Sequence, residues 1–234
     1  LMRSLAVVRS GRAQTAILGS DPPAFDFECP LMSLPAVFGT TVDTVPWPGP
    51  YLEADADEAR EKRIAFPDLN PGPRIGLAWA GNPRYKADRQ RSTHLETLLP
   101  LLRTMSVNWI SLQKGEAAGQ LSALPADQSL RNGPGTSDGS RIQDGSSRDR
   151  DLAETAALLS TLDLVITTDT SIAHLAGAMA KPVWILLPHL ADWRWMQQVE
   201  TTPWYPTARL FRQPTPGDWP SVLNRVAAEL QSLP

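Results

Sequence analysis

Four short runs of the chain are largely apolar, as expected of strands that are buried on both faces. They lie at residues 75–79, 107–112, 164–168 and 183–187. Segments with helical spacing lie between and after them, at about 95–105, 117–124, 152–162, 171–179 and 221–233. Because strands and helices alternate, the pattern predicts an α/β domain with a parallel sheet covered on both faces.

The chain before residue 74 has a different character. Residues 1–52 are short elements broken by proline, a charged helix is predicted at about 54–65, and 67–73 is a proline-rich break. We therefore predict an incomplete amino-terminal unit with a linker helix over 1–66, and a carboxy-terminal domain over 74–234. Because the first nine residues resemble the interior of a helix without a cap, we expect the chain to begin inside a larger protein.

Residues 126–150 interrupt the regular pattern of the carboxy-terminal domain. They are rich in Ser, Gly, Asp and Arg and have almost no large apolar side chain. Such a composition lacks the apolar area needed to order a segment, so it predicts a mobile loop.

Composition narrows the classes of function. The formal net charge is -3 and no long basic run occurs, so nothing supports a nucleic-acid partner. No apolar run approaches the roughly 20 residues of a membrane-spanning helix, and the start lacks a signal-peptide pattern. The single cysteine, Cys29, cannot form an internal disulfide, which fits a reducing, cytoplasmic location.

Ligands of an open parallel sheet bind beyond the carboxyl ends of its strands. The four loops at those ends carry polar and cationic groups that the predicted strands lack. In chain order, these groups are Asn82, Lys86, Arg89 and Arg91, then Gln113 and Lys114, then Asp169, Thr170, Ser171 and His174, then His189, Asp192 and Arg194. We expect the four loops to converge on one edge of the sheet.

The strongest local pattern is the turn from the strand at 164–168 into the helix at 171–179. Thr170 and Ser171 lie in the first turn, where uncapped N–H groups and the helix dipole attract an anion. His174 is one turn further on and can point a ring N–H at the same anion. The alternative is that Thr170 or Ser171 only caps the helix and that His174 packs in the core. The cations of the other loops favour the anion site.

Several other residues keep two interpretations open. Asp169 would repel a phosphate, so we expect it to hold the turn or to accept a hydrogen bond from a hydroxyl or from His174. Lys86 can supply a point charge to a diphosphate, or it can lie with Asn82 in a solvated loop. Trp193 and Trp195 can stack on a base or sugar, although sealing the core beneath the loop is the preferred interpretation.

At these residues the sequence resembles the heptosyltransferase-like glycosyltransferases of family 9. The segments that carry the resemblance are TDTSIAHLAGA at 168–178, KPVWILLP at 181–188, GLAWAGNP at 76–83, SLQKG at 111–115, DWRW at 192–195, WYP at 204–206 and RLFRQ at 209–213. The nearer resemblance is to bacterial proteins that join tetratricopeptide repeats to such a domain and are described as O-linked N-acetylglucosamine transferase-like. Residues 25–35 are similar to the end of the family's amino-terminal domain.

The resemblance implies a GT-B architecture of two Rossmann-like domains, with a nucleoside-diphosphate sugar bound mainly by the second. It implies that Lys86, Thr170, Ser171 and His174 contact the diphosphate, that Asp169 belongs to the same motif, and that Gln113 and Lys114 lie near the nucleoside. The implied reaction is sugar transfer to a protein or glycan acceptor, with inversion and with neither metal nor cofactor. Cations and a helix terminus would stabilise the leaving diphosphate.

The sequence departs from the family pattern in two places. The family's opening glycine-rich loop, with its catalytic carboxylate, and any tetratricopeptide repeat are absent, so no general base is assigned. Glu154 stands where the family tends to have Asp, after a long polar stretch where the family runs a strand and an acidic turn. The alternatives are therefore a transferase fragment that is inactive alone, a non-catalytic nucleotide-sugar-binding or scaffold module, and, more weakly, an epimerase or hydrolase.

Overall fold

A six-stranded parallel sheet forms the centre of the protein. The computed structural model describes residues 1–16, 19–21, 23–65, 72–104, 107–123, 142–145 and 149–232. The strands are β1 (Arg74–Ala78), β2 (Asn108–Ser111), β3 (Ile142–Asp144), β4 (Leu164–Thr168), β5 (Val183–Leu187) and β6 (Ala208–Arg212). Their order is β3-β2-β1-β4-β5-β6, and every neighbouring pair is parallel. The predicted α/β fold class is confirmed.

Nine α-helices accompany the strands within the described residues. They are α1 (Ala6–Arg9), α2 (Leu34–Val37), α3 (Ala56–Ala65), α4 (Asp88–Arg91), α5 (Leu95–Thr104), α6 (Gln120–Ala123), α7 (Leu152–Ser160), α8 (Ser171–Ala178) and α9 (Trp219–Gln231). None of these helices combines the length and the apolar character needed to cross a bilayer.

The sheet is buried on both faces because successive side chains of a strand point in opposite directions. Ile75 and Leu77 of β1 belong to a core formed with α5 and α9. Val165 of β4 and Ile185 of β5 belong to a second core, formed with α7 and α8. All five residues of β1, β4 and β5 are buried, which explains why their sequences are so nearly continuous in apolar character.

An aromatic ring packs against Gly177 of α8. A Cβ atom on Gly177 would lie 2.3 Å from Cγ of Tyr205, so only glycine leaves room for this ring. Tyr205 is buried and also lies edge-on to Trp47. The small residue at position 177 therefore fits α8 against the aromatic cluster that follows β5.

Two strands were missed by the sequence pattern, and both lie at edges of the sheet. Ile142–Asp144 forms β3 within the stretch predicted to be a mobile loop, so that part of the prediction was wrong. The strand has three residues and only Ile142 is buried, which leaves almost no apolar signal. In β6, Arg209 and Arg212 flank buried Leu210 and Phe211, so the apolar run is only two residues long there. The rest of the predicted loop, apart from 145, 149 and 150, lies outside the described residues.

The amino-terminal part consists of short helices and turns in the described residues up to 65. It is attached to the sheet domain by Trp47, Tyr51 and Leu52, which pack against the core formed with α7 and α8. The Tyr51 N–H donates a hydrogen bond to the Ala178 carbonyl, at 3.0 Å. Helix α3 matches the charged helix predicted at 54–65 and lies along α7. The interpretation of 1–66 as an incomplete domain stays a prediction.

Candidate functional site

The strand order places a crevice between β1 and β4. From β1 the chain continues to β2 and β3 on one side, and β4 leads to β5 and β6 on the other. The loops after β1 and β4 therefore diverge, and ligands of open α/β sheets bind at such a switch point. A cavity of about 440 Å³ lies there, lined by Ala78, Ala80, Gly81, Asn82, Pro83, Arg91, Leu112, Gln113, Lys114, Gly115, Glu116, Leu152, Thr170, Ser171 and Ile172.

Five of the eight predicted site residues line this cavity: Asn82, Gln113, Lys114, Thr170 and Ser171. They come from the loops after three different strands, which the sheet brings to one edge as expected. Lys86, Asp169 and His174 are not among the lining residues. The geometry of each group determines what it can offer a ligand.

The amino terminus of α8 forms one wall of the cavity. Thr170 is the N-cap residue, and its hydroxyl accepts a hydrogen bond from the Ile172 N–H at 3.3 Å. Ser171 follows as an exposed first helical residue, and its hydroxyl has no hydrogen-bond partner among the described residues. Thr170 thus caps the helix while also lining the cavity, and Ser171 keeps its hydrogen-bonding capacity for a ligand.

Arg91 also lines the cavity. The sequence placed it among the cations of the loop after β1 but predicted no contact with the diphosphate for it. Its Nε donates to Asp88 Oδ1 at 3.1 Å, and its Nη1 donates to the Asp169 carbonyl at 2.7 Å. The guanidinium carbon lies 4.7 Å from the ring centroid of Tyr85. Arg91 therefore joins the loop after β1 to the loop after β4, with a fixed positive charge at the crevice.

Gly81 makes room for this arginine. A Cβ atom at position 81 would lie 2.5 Å from both Arg91 Nη2 and Asp88 Oδ1. The Gly81 N–H donates to the Ser92 hydroxyl at 2.9 Å, which fixes the loop on its other side. An arginine three residues after an aspartate on a helix was the available sequence signal, although its contact with Asp169 spans 78 positions.

Gln113 braces two loops rather than offering its amide to a ligand. Its Oε1 accepts from the N–H groups of Trp79 and Ala80, each at 2.9 Å. Its Nε2 donates to the carbonyls of Ala80 and Lys114, also each at 2.9 Å. All four hydrogen-bonding positions of the amide are used, and the side chain is 2% exposed. It fixes the cavity wall between β1 and β2.

Lys114 supplies a second cation to the cavity. Its Nζ donates to Thr155 Oγ1 at 2.8 Å and lies 4.0 Å from Asp149 Oδ2. The side chain remains 37% exposed, so the ammonium can meet a ligand while keeping its bond to Thr155. Arg91 and Lys114 thus place two positive charges on the cavity that the amino terminus of α8 also lines.

His174 is held in an aromatic setting. Its Nδ1 lies 3.0 Å from the Tyr205 hydroxyl, and its ring stacks on Trp195 with centroids 5.2 Å apart. Its Nε2 is 3.9 Å from Asp169 Oδ1, as expected if Asp169 faces this histidine. Burial lowers the pKa of His174 despite the opposing field of Asp169. A diphosphate contact for this ring stays a prediction.

Lys86 and Asn82 lie in the loop after β1. The Asn82 side chain accepts from the Arg84 N–H at 3.0 Å and lines the cavity. Lys86 is exposed and forms no ion pair with any described residue, so no ion pair holds its long side chain in place. Of the tryptophans, Trp195 is fully buried and seals the core, whereas Trp193 is 60% exposed beneath the Arg194 guanidinium.

Comparisons with known proteins show what the chain is similar to. Residues 149–213, which contain α7, β4, α8, β5 and β6, match the model of Glycosyltransferase family 9 (heptosyltransferase). Protein FlbA of Caulobacter vibrioides is 26% identical over 194 residues, covering 82% of this chain and 31% of FlbA. The structure of E. coli ADP-heptose LPS heptosyltransferase II matches with a TM-score of 0.54 at 18% identity, covering 82% of this chain and 56% of that one.

The structural match and the family match support different statements. The structural likeness shows that the α/β fold is that of a GT-B-like heptosyltransferase. The family match over 149–213 shows that this region is similar to glycosyltransferases, the class that the sequence predicted. The predicted nearness to tetratricopeptide-repeat proteins finds no support in these matches. The chain spans about a third of FlbA and about half of the heptosyltransferase.

Proposed function

We propose that this chain binds a nucleoside-diphosphate sugar in the switch-point cavity and forms the donor side of a sugar transfer. The observation that carries the proposal is the meeting of the amino terminus of α8 with Arg91 and Lys114 around one cavity. Helix termini and cations together favour a doubly phosphorylated group over a neutral ligand. The acceptor is a protein or glycan, and no further cofactor is invoked.

The groups that line the cavity are suited to stabilise the negative charge that develops on the diphosphate during transfer. When the bond to the sugar breaks, negative charge grows on the leaving diphosphate. The Ser171 hydroxyl and the N–H groups of α8 would donate to its oxygens, and Arg91 and Lys114 would offset its charge. This arrangement takes the role that a metal ion has in other transferases, and inversion follows from direct displacement of the diphosphate by the acceptor.

The remaining predicted residues have subsidiary places in this proposal. Lys86, in the loop after β1, would supply a further positive charge to the diphosphate, and Asn82 lines the cavity from the same loop. His174, one turn along α8 from Ser171, contributes through its Nε2 side. The apolar lining residues Leu112, Leu152 and Ile172 provide a surface for the nucleoside, beside the brace formed by Gln113.

The alternative is a non-catalytic module that binds a nucleotide sugar. The observation in its favour is that Glu116 is the one carboxylate among the described residues that line the cavity, and it is exposed. A general base is therefore not assigned within this chain. Release of nucleoside diphosphate in the presence of an acceptor would favour transfer, whereas tight donor binding without release under any acceptor would favour the module.

The experiment that tests donor binding is a thermal-shift panel of ADP, GDP, UDP and CDP with their sugar conjugates. Ligands that bind only the folded state raise its stability, by about 2.7 kcal/mol at a concentration of 100 times Kd. The matching nucleosides, which lack phosphate, are the control and should give no comparable shift. Absence of any shift across the whole panel would contradict the proposal.

A further inference from the structure

A buried carboxylate lies between the candidate donor site and the linker helix. Asp149 is 1% exposed and forms an ion pair with Lys62 of α3. The same carboxylate is 4.0 Å from the ammonium of Lys114, which lines the cavity together with Arg91. Thr155, which is fully buried, lies between them: its hydroxyl accepts from Lys114 and is 3.2 Å from Asp149 Oδ2.

The two lysines differ in how far Asp149 compensates their charge. Asp149 is neutralised directly by Lys62, which donates a hydrogen bond to its Oδ1. Lys114 is bound to the neutral hydroxyl of Thr155 and is only at the limit of an ion pair with Asp149. The three charged groups sum to one positive charge, and Lys114 is the more exposed lysine, at 37% against 21% for Lys62. The uncompensated charge therefore lies on the side of the cavity.

Removing Lys62 would change which lysine pairs with Asp149. A carboxylate buried without a partner is strongly unfavourable, so it recruits the nearest cation. Lys114 is already close, and its flexible side chain has to move little to form a direct pair. Its ammonium would then be withdrawn from the cavity, and its charge would be cancelled.

We propose that Lys62 and Asp149 are positioning residues that keep Lys114 available to the donor. With α3 docked on α7, Lys62 occupies Asp149 and leaves Lys114 free to bind phosphate or ribose oxygens. When α3 moves away, Asp149 captures Lys114 and the cavity loses a cation. The inference rests on the proposed donor site, and it makes donor affinity depend on the position of the linker helix.

The test uses three variants of the full chain: Lys62→Gln, Asp149→Asn and the double variant. Binding of the tightest nucleoside diphosphate from the panel above is measured by calorimetry. Lys62→Gln should weaken binding about 10-fold, Asp149→Asn should leave it unchanged or tighter, and the double variant should return to the wild-type value. A purely structural role would weaken binding in both single variants, which would overturn the proposal.

A matched control lies on the same helix. Arg63→Gln removes one charge from α3 at an exposed position that forms no ion pair with any described residue. It should leave nucleotide affinity at the wild-type value. A loss equal to that of Lys62→Gln would mean that general charge, rather than Asp149, governs the affinity. Ligand-free melting curves establish that each variant is folded.

A second readout needs no ligand. Acetylation by acetic anhydride, followed by mass spectrometry, measures how accessible the ammonium of Lys114 is, with exposed Lys86 as an internal reference. Labelling of Lys114 relative to Lys86 should fall several-fold in Lys62→Gln and recover in the double variant. Unchanged labelling overturns the coupling. If labelling changes as expected but no nucleotide binds the wild type, the donor proposal fails and the coupling of charges stands.

Discussion

Arg91 has a structural and a binding role that can be separated by mutation. Arg91→Gln removes the charge that compensates Asp88, a carboxylate only 9% exposed, and also removes the hydrogen bond to the Asp169 carbonyl. Breaking a largely buried ion pair from one side costs about 2–4 kcal/mol here, less than for a fully buried pair because Arg91 is 21% exposed. In a domain of this size that lowers Tm by roughly 5–12 °C.

The double variant Asp88→Asn with Arg91→Gln distinguishes the two roles. It leaves no unpaired buried charge at Asp88, so it should recover about half or more of the lost free energy of unfolding. It does not restore a cation to the cavity, so nucleoside-diphosphate affinity should stay at least about 10-fold below the wild-type value. Urea unfolding and calorimetry provide the two numbers.

The conservative variant sharpens the comparison. Arg91→Lys keeps the charge but cannot donate to Asp88 and Asp169 at once while stacking on Tyr85. It should therefore recover little stability and only part of the binding. The reasoning would be refuted if the double variant bound nucleotide as tightly as the wild type. It would also be refuted if Arg91→Gln left the free energy of unfolding unchanged.

Three further predictions follow from individual contacts. Gly177→Ala should lower the free energy of unfolding, measured in urea, by about 1–3 kcal/mol, because the Tyr205 ring leaves no room for a Cβ atom at position 177. Helix propensity alone would instead raise it by about 1 kcal/mol, and such a gain would contradict this. Burial holds the pKa of His174 below its ordinary value of 6.5 in the folded chain. As the pH falls below 6.5, the unfolded chain therefore binds a proton that the folded chain does not, and the free energy of unfolding decreases. In urea titrations at several pH values, His174→Gln should make the free energy of unfolding depend less on pH in this range. Lys86→Gln should weaken nucleoside-diphosphate binding several-fold without changing Tm, because Lys86 is exposed and unpaired among the described residues; unchanged affinity would remove Lys86 from the site.

The sequence was most informative where burial is complete. The strands β1, β4 and β5 are buried at every residue, so their apolar runs mark them to within a residue or two. The carboxyl ends of these strands then indicated the loops that meet at the cavity. The short edge strand β3, with only Ile142 buried, left no such pattern.

The roles of individual site residues were harder to predict because they depend on contacts between distant positions. Gln113 was expected near the nucleoside, which stays a prediction; its amide makes three hydrogen bonds to the backbone of Trp79 and Ala80, 33 or 34 positions away, and a fourth to the Lys114 carbonyl. Arg91 reaches Asp169 across 78 positions, and Lys62 reaches Asp149 across 87. Local periodicity carries no information about such pairs, so they become visible only once the fold is known.

A diphosphate site at the amino terminus of α8 is tested most directly by comparing Ser171→Asp with Ser171→Asn. The two side chains differ by one negative charge, placed at the first residue of α8 and on the wall of the cavity. An acidic residue at a helix amino terminus stabilises the fold by about 0.3–1 kcal/mol, yet it would repel a diphosphate. We predict that Ser171→Asp melts no lower than Ser171→Asn and shows no heat of nucleoside-diphosphate binding in calorimetry, while Ser171→Asn still binds. Equal affinity in the two variants would contradict a diphosphate site at this helix.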